Sequence, residues 1–130
     1  MKKRLALVAL LAVASSGAIA EWVEVGRTDT STFYADPATI RRVGNMVKMW
    51  HLNDFGAAEV VEKSAPAMSG KVQSEYDCRE VRWRTLLLTL HSGNMGRGEI
   101  VHSATGSGKW SKILPSTGGQ MLWNSACAQR

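Results

Sequence analysis

The segment from Lys71 to Cys78 carries the clearest structural pattern of the sequence, an alternation with a period of two that ends in a cysteine. In this segment Lys71, Gln73, Glu75 and Asp77 alternate with Val72, Ser74, Tyr76 and Cys78. Successive side chains of a β-strand point to opposite faces, so the pattern predicts a strand with one polar face and one face turned towards a core. Cys78 falls on the core face, where a packed helix could bring a second cysteine to it.

The sequence contains two cysteines, Cys78 and Cys127, which are 49 residues apart. This separation excludes a CxxC redox motif and a four-ligand zinc site. In an oxidising compartment such a pair is expected to form a disulfide, and the alternative is a pair of buried thiols. A disulfide that closes a loop of this length would add at most about 4 kcal/mol to the free energy of unfolding.

The N-terminus has the three parts of a secretory signal peptide. Lys2, Lys3 and Arg4 precede an apolar stretch over residues 5–14, and small residues then lead to Ala20. The pattern predicts a signal peptide over residues 1–20, with cleavage between Ala20 and Glu21. The apolar stretch is shorter than the roughly 20 residues of a membrane-spanning helix, and no cysteine near the cut could accept a lipid. We therefore expect an exported protein, periplasmic or secreted or on the cell surface, without stable membrane insertion.

Cleavage would leave residues 21–130, the length of one domain. The loss of three basic residues lowers the basic count from 16 to 13 against 11 acidic residues, a net charge of +2. A nearly balanced charge and export both argue against a nucleic-acid partner. The oligomeric state has no signature in the sequence.

Further patterns predict an α+β fold, in which a single antiparallel sheet of about five to six strands carries a C-terminal helix on one face. The predicted strands cover residues 22–25, 32–35, 46–53, 71–78, 81–92 and 99–103. A further short strand is predicted at 109–114, and the irregular connection over 54–70 holds at most a short strand at 59–62. In the strand 81–92, Arg82 shares a side with Leu88, which predicts either a solvated end or a bulge. Ser116 or Thr117 would cap the helix, and the disulfide would tie it to the sheet.

No catalytic constellation, cofactor site or metal site is evident. The loop Gly106–Lys109 resembles the end of a phosphate-binding loop, but it lacks the leading glycine and the residue that holds magnesium. His91 and His102 lie on the two arms of a predicted hairpin, without an acidic partner placed by the sequence. Asp36 precedes Pro37, and helix capping explains it better than catalysis does.

The sequence holds five tryptophans. Trp50, Trp83 and Trp123 fall within predicted elements, and we expect most of their surface to lie in the core. Trp22 and Trp110 fall near ends or loops, where an exposed aromatic ring could contact a protein partner. These two are the candidate partner-binding residues.

The order of several short motifs resembles the surface-adhesin protein E-like domain of Gram-negative bacteria. The motifs are Phe33-Tyr34-Ala35-Asp36, Ile40-Arg41-Arg42 with Gly44, Val47-Lys48-Met49-Trp50, Ser69 to Lys71, Glu75-Tyr76-Asp77-Cys78, Arg82 to Arg84, Met95-Gly96, Trp110, Pro115-Ser116 and Cys127. The resemblance covers nearly all of residues 21–130. It implies a sheet with a helix and a disulfide, and it offers no shared catalytic residues.

Named members of that family are adhesins that bind host matrix and serum proteins such as vitronectin and laminin. The resemblance therefore implies a non-enzymatic module whose partner is a host extracellular matrix protein or an envelope protein. A periplasmic accessory protein is the first alternative, because the lipoprotein cysteine of the anchored adhesin is missing. A small envelope hydrolase or metal-binding protein built around His91 and His102 is the second alternative.

Overall fold

The computed structural model describes residues 21–128. The predicted signal peptide and Ala20 lie outside the described residues. The strands are β1 (Val23–Arg27), β2 (Ser31–Ala35), β3 (Arg41–Val43), β4 (Met46–Glu59), β5 (Ala67–Asp77), β6 (Arg82–His91), β7 (Ile100–Thr105) and β8 (Ser111–Lys112), and the helix is α1 (Gly118–Ala128). Short 3-10 turns occur at Pro37–Thr39 and Asn94–Gly96.

The described strands form one antiparallel sheet, as the sequence predicts. The main path of the sheet runs β1-β2-β4-β5-β6-β7, and the short strands β3 and β8 pair with β4 and β6. The described sheet thus has eight strands rather than five to six: the six of the main path, the short strand predicted at 109–114, of which only β8 forms, and β3, which the sequence patterns did not predict. No described helix is long and apolar enough to cross a bilayer.

The central strands β4 and β5 place the core residues on one face. Val47 pairs with Tyr76 and Met49 pairs with Ser74, and directly paired residues share a face of the sheet. The helix α1 covers this face with Leu122 and Ala126, both fully buried. A core of these side chains is closed at its rim by the Cys78–Cys127 disulfide.

The disulfide is present as predicted. Its Cα atoms lie 5.6 Å apart, within the range that two cysteines can bridge without backbone movement. The cap of α1 is also confirmed, because the Thr117 hydroxyl accepts a hydrogen bond from the Gln120 backbone N–H at 3.2 Å. The Gln120 Oε1 atom in turn accepts a hydrogen bond from the Ser116 backbone N–H at 2.8 Å.

The helix lies very close to the sheet at its first residue. A Cβ atom on Gly118 would stand 2.6 Å from two ring carbons of Phe33, well inside normal contact distance. Only a residue without a side chain fits there. The glycine weakens the first turn of α1 but permits close packing.

A bulge in β6 resolves the mixed pattern of that strand. Gln73 pairs with Leu87 and Ser74 pairs with Thr85, so Leu86 is the extra residue. Arg82 and Arg84 consequently lie on the face opposite to α1. Beyond the bulge, Leu88 and Leu90 lie on the same face as the helix.

Three local predictions are wrong. The connection over 54–70 is shorter than expected, because β4 runs to Glu59 and β5 begins at Ala67. Asp36 does not cap the turn at Pro37–Thr39 with its side chain, and its Oδ1 atom is buried without a hydrogen-bond partner. Trp50 lies outside the core cluster, because Lys48 and Trp50 alternate with the core residues Val47 and Met49.

Candidate functional site

The face of the sheet opposite to α1 is not covered by the helix, and we call it the helix-free face. It carries the residues of β4, β5 and β6 that alternate with the core residues. Three zones follow one another along the strands: a charged zone near Cys78, an apolar row in the middle and a docked loop at the far end.

The apolar row crosses four neighbouring strands. Trp50 pairs with Gln73, Gln73 with Leu87, and Leu87 with Thr105, so these four side chains stand side by side. Leu87 is 41% exposed although its strand is internal to the sheet. An open cavity of about 320 Å³ lies along this row, lined also by Leu88, Thr89, Ser103 and Ala104. Such an apolar recess on an otherwise polar surface is typical of a contact site for another molecule.

The charged zone is built from two ion pairs between β5 and β6. The Arg84 Nε atom donates a hydrogen bond to Glu75 Oε1 at 2.9 Å, and Arg82 Nε donates to Asp77 Oδ2 at 3.0 Å. Glu75 and Asp77 are almost fully enclosed, whereas about a third of each arginine side chain stays in contact with solvent. The carboxylates thus hold the guanidinium groups in place at the surface.

Asp77 also organises the turn that follows β5. The backbone N–H groups of Glu80 and Arg79 donate to its Oδ1 atom at 3.0 and 3.1 Å. These hydrogen bonds, that of Glu80 foremost, and the Arg82 side chain lower the pKa of Asp77 below its usual value, although burial opposes them. The carboxylate therefore stays charged and keeps Arg82 fixed.

Trp110 packs on the two arginines. The guanidinium carbons of Arg82 and Arg84 lie 4.5 and 4.4 Å from the centre of the indole ring, which is cation–π distance for both. The loop that precedes β8 brings the ring to this position. Trp110 therefore joins the helix-free face, and the Gly106–Lys109 segment, which resembles a phosphate-binding loop, leads the chain to it.

The loop at the far end is held by buried polar contacts. The Ser69 hydroxyl donates to the Gly93 carbonyl at 2.6 Å and accepts from the Gly96 backbone N–H at 2.8 Å. Asp54 Oδ1 accepts from the Met95 backbone N–H at 2.8 Å, which fixes a residue with a positive φ of 59°. The docked loop lies against Leu52, so the apolar row ends there.

His51 and Tyr76 are titratable residues inside the core, away from the helix-free face. Burial lowers the pKa of His51 to about 3 and raises that of Tyr76. The His51 ring also stacks on Trp83, with ring centres 6.2 Å apart. Both residues stay neutral and serve packing.

The structure does not bring His91 and His102 together. His102 pairs with Leu90, whereas His91 is the next residue of β6 and shares its face with Ser69 on the other side of the sheet. Burial, with a smaller effect of Lys71, lowers the pKa of His91. Within residues 21–128, no group of three or more histidine, cysteine or acidic side chains is arranged to hold a metal ion.

The remaining predicted residues occupy different surroundings. Glu21 is exposed, and Trp22 is partly buried just before β1, away from Trp110. Sequence reasoning missed Trp50 and Leu87, the apolar members of the central row. The alternation Lys48-Met49-Trp50 carried the necessary signal, because it places Trp50 with a charged residue rather than with the core.

Comparisons with known proteins agree with this architecture. The family model for surface-adhesin protein E matches residues 22–128. One structure of Haemophilus influenzae protein E superimposes with a TM-score of 0.59 at 13% identity, covering 82% of this chain and 83% of that one. Its crystal form II gives a TM-score of 0.57 at 14% identity, covering 74% of this chain and 80% of that one. At these identities the structural similarity shows the fold alone, and no curated protein matches the chain significantly.

Proposed function

Because the chain belongs to the surface-adhesin protein E family, we propose that it is an exported, non-enzymatic module that binds another protein through its helix-free face. The partner is a host extracellular matrix or serum protein. The family supplies the general function, and the observation that supports the location of the site is the row in which the half-buried Trp50 and the exposed Leu87 lie side by side with Gln73.

The site has the composition of a protein contact. Apolar side chains in the middle of the face are bordered by arginines and a tryptophan, which are enriched where proteins meet. Trp110 contributes at one border of the row. Trp22 lies on a different part of the chain and would form, at most, a second contact.

A direct binding experiment tests the proposal. The disulfide-bonded protein spanning residues 21–130 would be passed over immobilised vitronectin and laminin in a biolayer interferometry assay. We expect saturable binding that is weakened by Leu87→Ser, which removes the exposed apolar side chain of the row. Val60→Ser provides the matched control, because Val60 is 67% exposed in the loop after β4 and lies outside the row. Equal binding by both variants would contradict the proposed location.

A periplasmic accessory role is the alternative supported by the cysteines. Both cysteines of the sequence are joined to each other, so neither is available for lipid attachment. Protease added to intact bacteria separates the two roles. Degradation on whole cells is expected for an adhesin, whereas protection until the outer membrane is opened would direct the search to envelope partners.

A further inference from the structure

The charged zone of the helix-free face has more cations than carboxylates. Register pairing aligns Arg41, Lys48, Glu75 and Arg84 in one row across β3, β4, β5 and β6. In the next row, Asp77, Arg82 and Lys112 align across β5, β6 and β8. These residues are five cations and two carboxylates, and we call them the basic zone.

Both carboxylates of the basic zone are already neutralised. Glu75 and Asp77 are enclosed and form ion pairs with Arg84 and Arg82. Arg41, Lys48 and Lys112 are exposed, and none of them forms an ion pair within the described part of the chain. The zone therefore presents three uncompensated positive charges to solvent.

The apolar row runs parallel to these charges. On each strand, the residue of the apolar row is the neighbour of a charged residue on the same face. The pairs are Trp50 and Lys48 on β4, Gln73 and Glu75 on β5, and Leu87 and Arg84 on β6. Two residues along a strand correspond to about 7 Å, which is also the spacing between alternate side chains of an extended peptide. A bound chain can therefore contact the charged row and the apolar row at once.

We infer that the basic zone and the apolar row together bind an acidic protein segment that carries large apolar side chains among its carboxylates. This inference rests on the proposed function and specifies the chemistry of the partner at the same face. Carboxylates of the segment face Lys48, Lys112 and Arg41, while its apolar side chains contact Trp50 and Leu87. Arg82 and Arg84 are already fixed by their carboxylates and by Trp110, so binding orders few additional side chains.

A sulfated polysaccharide would satisfy the charges but not the apolar row. Its surface is dominated by hydroxyl and sulfate groups, which gain nothing from an exposed leucine. The apolar row therefore favours a peptide. It also makes the two ligands distinguishable, because only peptide binding depends on Leu87.

The test uses a fluorescein-labelled decapeptide in which Asp alternates with Leu or Phe, and an otherwise identical peptide with Asn in place of Asp. Fluorescence anisotropy with the intact disulfide-bonded protein at low salt is expected to give at least about tenfold tighter binding of the acidic peptide. The double variant Lys48→Gln with Lys112→Gln should weaken this binding by about fivefold to tenfold, the range that two exposed charge pairs provide. Binding should also weaken when sodium chloride is raised from about 50 to 300 mM.

The double variant Lys63→Gln with Arg97→Gln is the matched control. It removes the same charge from exposed loop positions outside the basic zone, and it should bind the acidic peptide like the unaltered protein. Thermal unfolding of all variants identifies any that fail to fold. Leu87→Ser should weaken peptide binding as well, by about fivefold for the loss of one contact of about 1 kcal/mol.

Each outcome separates this inference from the proposed function. Equal peptide binding by both charge variants would overturn the inference, while binding to vitronectin or laminin would still uphold the function. A second outcome is that the acidic peptide binds and the Lys48→Gln with Lys112→Gln variant weakens this binding, but neither vitronectin nor laminin binds. This outcome would contradict the host-binding function, and the inference would then apply to an envelope partner. Binding of heparin that depends on Lys48 and Lys112 but not on Leu87, with weak binding of the peptide, would overturn the choice of a protein segment.

Discussion

The Tyr76 hydroxyl lies 3.3 Å from Nδ1 of His51, and both side chains are enclosed by the core. The ring of Trp83 packs against both, with centres 6.2 Å from His51 and 5.9 Å from Tyr76. No charged side chain contacts the His51 ring in the described part of the chain, so nothing there stabilises its protonated form. The core therefore contains a histidine that must stay neutral.

This histidine should make stability depend on pH. Burial holds the pKa of His51 at about 3, whereas an unfolded histidine binds a proton below about 6.5. The unfolded state therefore binds more protons as the pH falls from 6.5, and the free energy of unfolding should decrease by up to about 1.4 kcal/mol per pH unit. Urea unfolding between pH 7 and pH 5 measures this slope above the range in which carboxylates titrate.

The comparison variant is His51→Gln, which cannot titrate. Its pH slope should be smaller, whatever its absolute stability. His91 also has a lowered pKa, so His91→Gln should reduce the slope by a smaller amount. If the free energy of unfolding falls with pH equally steeply in the unaltered protein and in His51→Gln, the prediction is contradicted.

The disulfide should account for much of the stability of the helix. Replacing both Cys78 and Cys127 with Ser should lower the free energy of unfolding by at most about 4 kcal/mol, because the unfolded chain loses a constraint on a long loop. Hydrogen exchange should increase more in α1 than in β4 and β5. Dithiothreitol should lower the thermal midpoint of the unaltered protein and leave the double variant unchanged; a midpoint that the substitutions do not lower would show that the disulfide adds no stability.

The close approach of Gly118 to Phe33 should make Gly118→Ala destabilising, although alanine favours helices. The new methyl group would overlap the Phe33 ring, and such overpacking costs about 1–3 kcal/mol. Denaturant unfolding measures this loss. Adding Phe33→Ala to Gly118→Ala should cost less than the two single changes combined, because the methyl group then has space; strict additivity would rule out the overlap as the cause.

Two buried serines of β5 should respond differently to substitution by alanine. Ser69→Ala removes the two hydrogen bonds that Ser69 makes with Gly93 and Gly96 of the loop, and should cost about 1–3 kcal/mol. Ser74 is buried as deeply, but its hydroxyl makes no hydrogen bond of normal geometry. Ser74→Ala should therefore be nearly neutral in urea unfolding, and a large loss there would contradict the assignment.

Local sequence patterns were sufficient to predict those strands and helix ends that bury one face against the core. The alternation in β5 placed Cys78 correctly, and the cap at Thr117 located the start of α1. The end of β4 was not predictable in the same way, because Gly56 and two alanines carry little face preference. Tertiary pairing extends the chain there, as the bond from the Gly56 backbone N–H to the Thr30 carbonyl illustrates.

The candidate site was only half accessible from the sequence. Trp110 was identified from its position in a loop, but its stacking on Arg82 and Arg84 depends on a bulge that the sequence offered only as one of two explanations. The sequence places Trp50 within a predicted strand, and this position was the reason to expect it in the core. A large aromatic side chain identifies a contact, whereas the register of β4 against β5 decides whether that contact is internal or at the surface.

The bulge at Leu86 also constrains how the gene for this protein can change. Deleting residue 86 would restore a regular ladder in which Thr85 and Leu87 keep Ser74 and Gln73 as partners, so Arg82 and Arg84 would stay on the helix-free face. Substitutions at Leu86 leave this geometry intact. We therefore expect descendants of this sequence either to keep the bulge or to lose residue 86, because a regular ladder that retained every residue would turn Arg82 and Arg84 beneath α1, away from water and from their carboxylates.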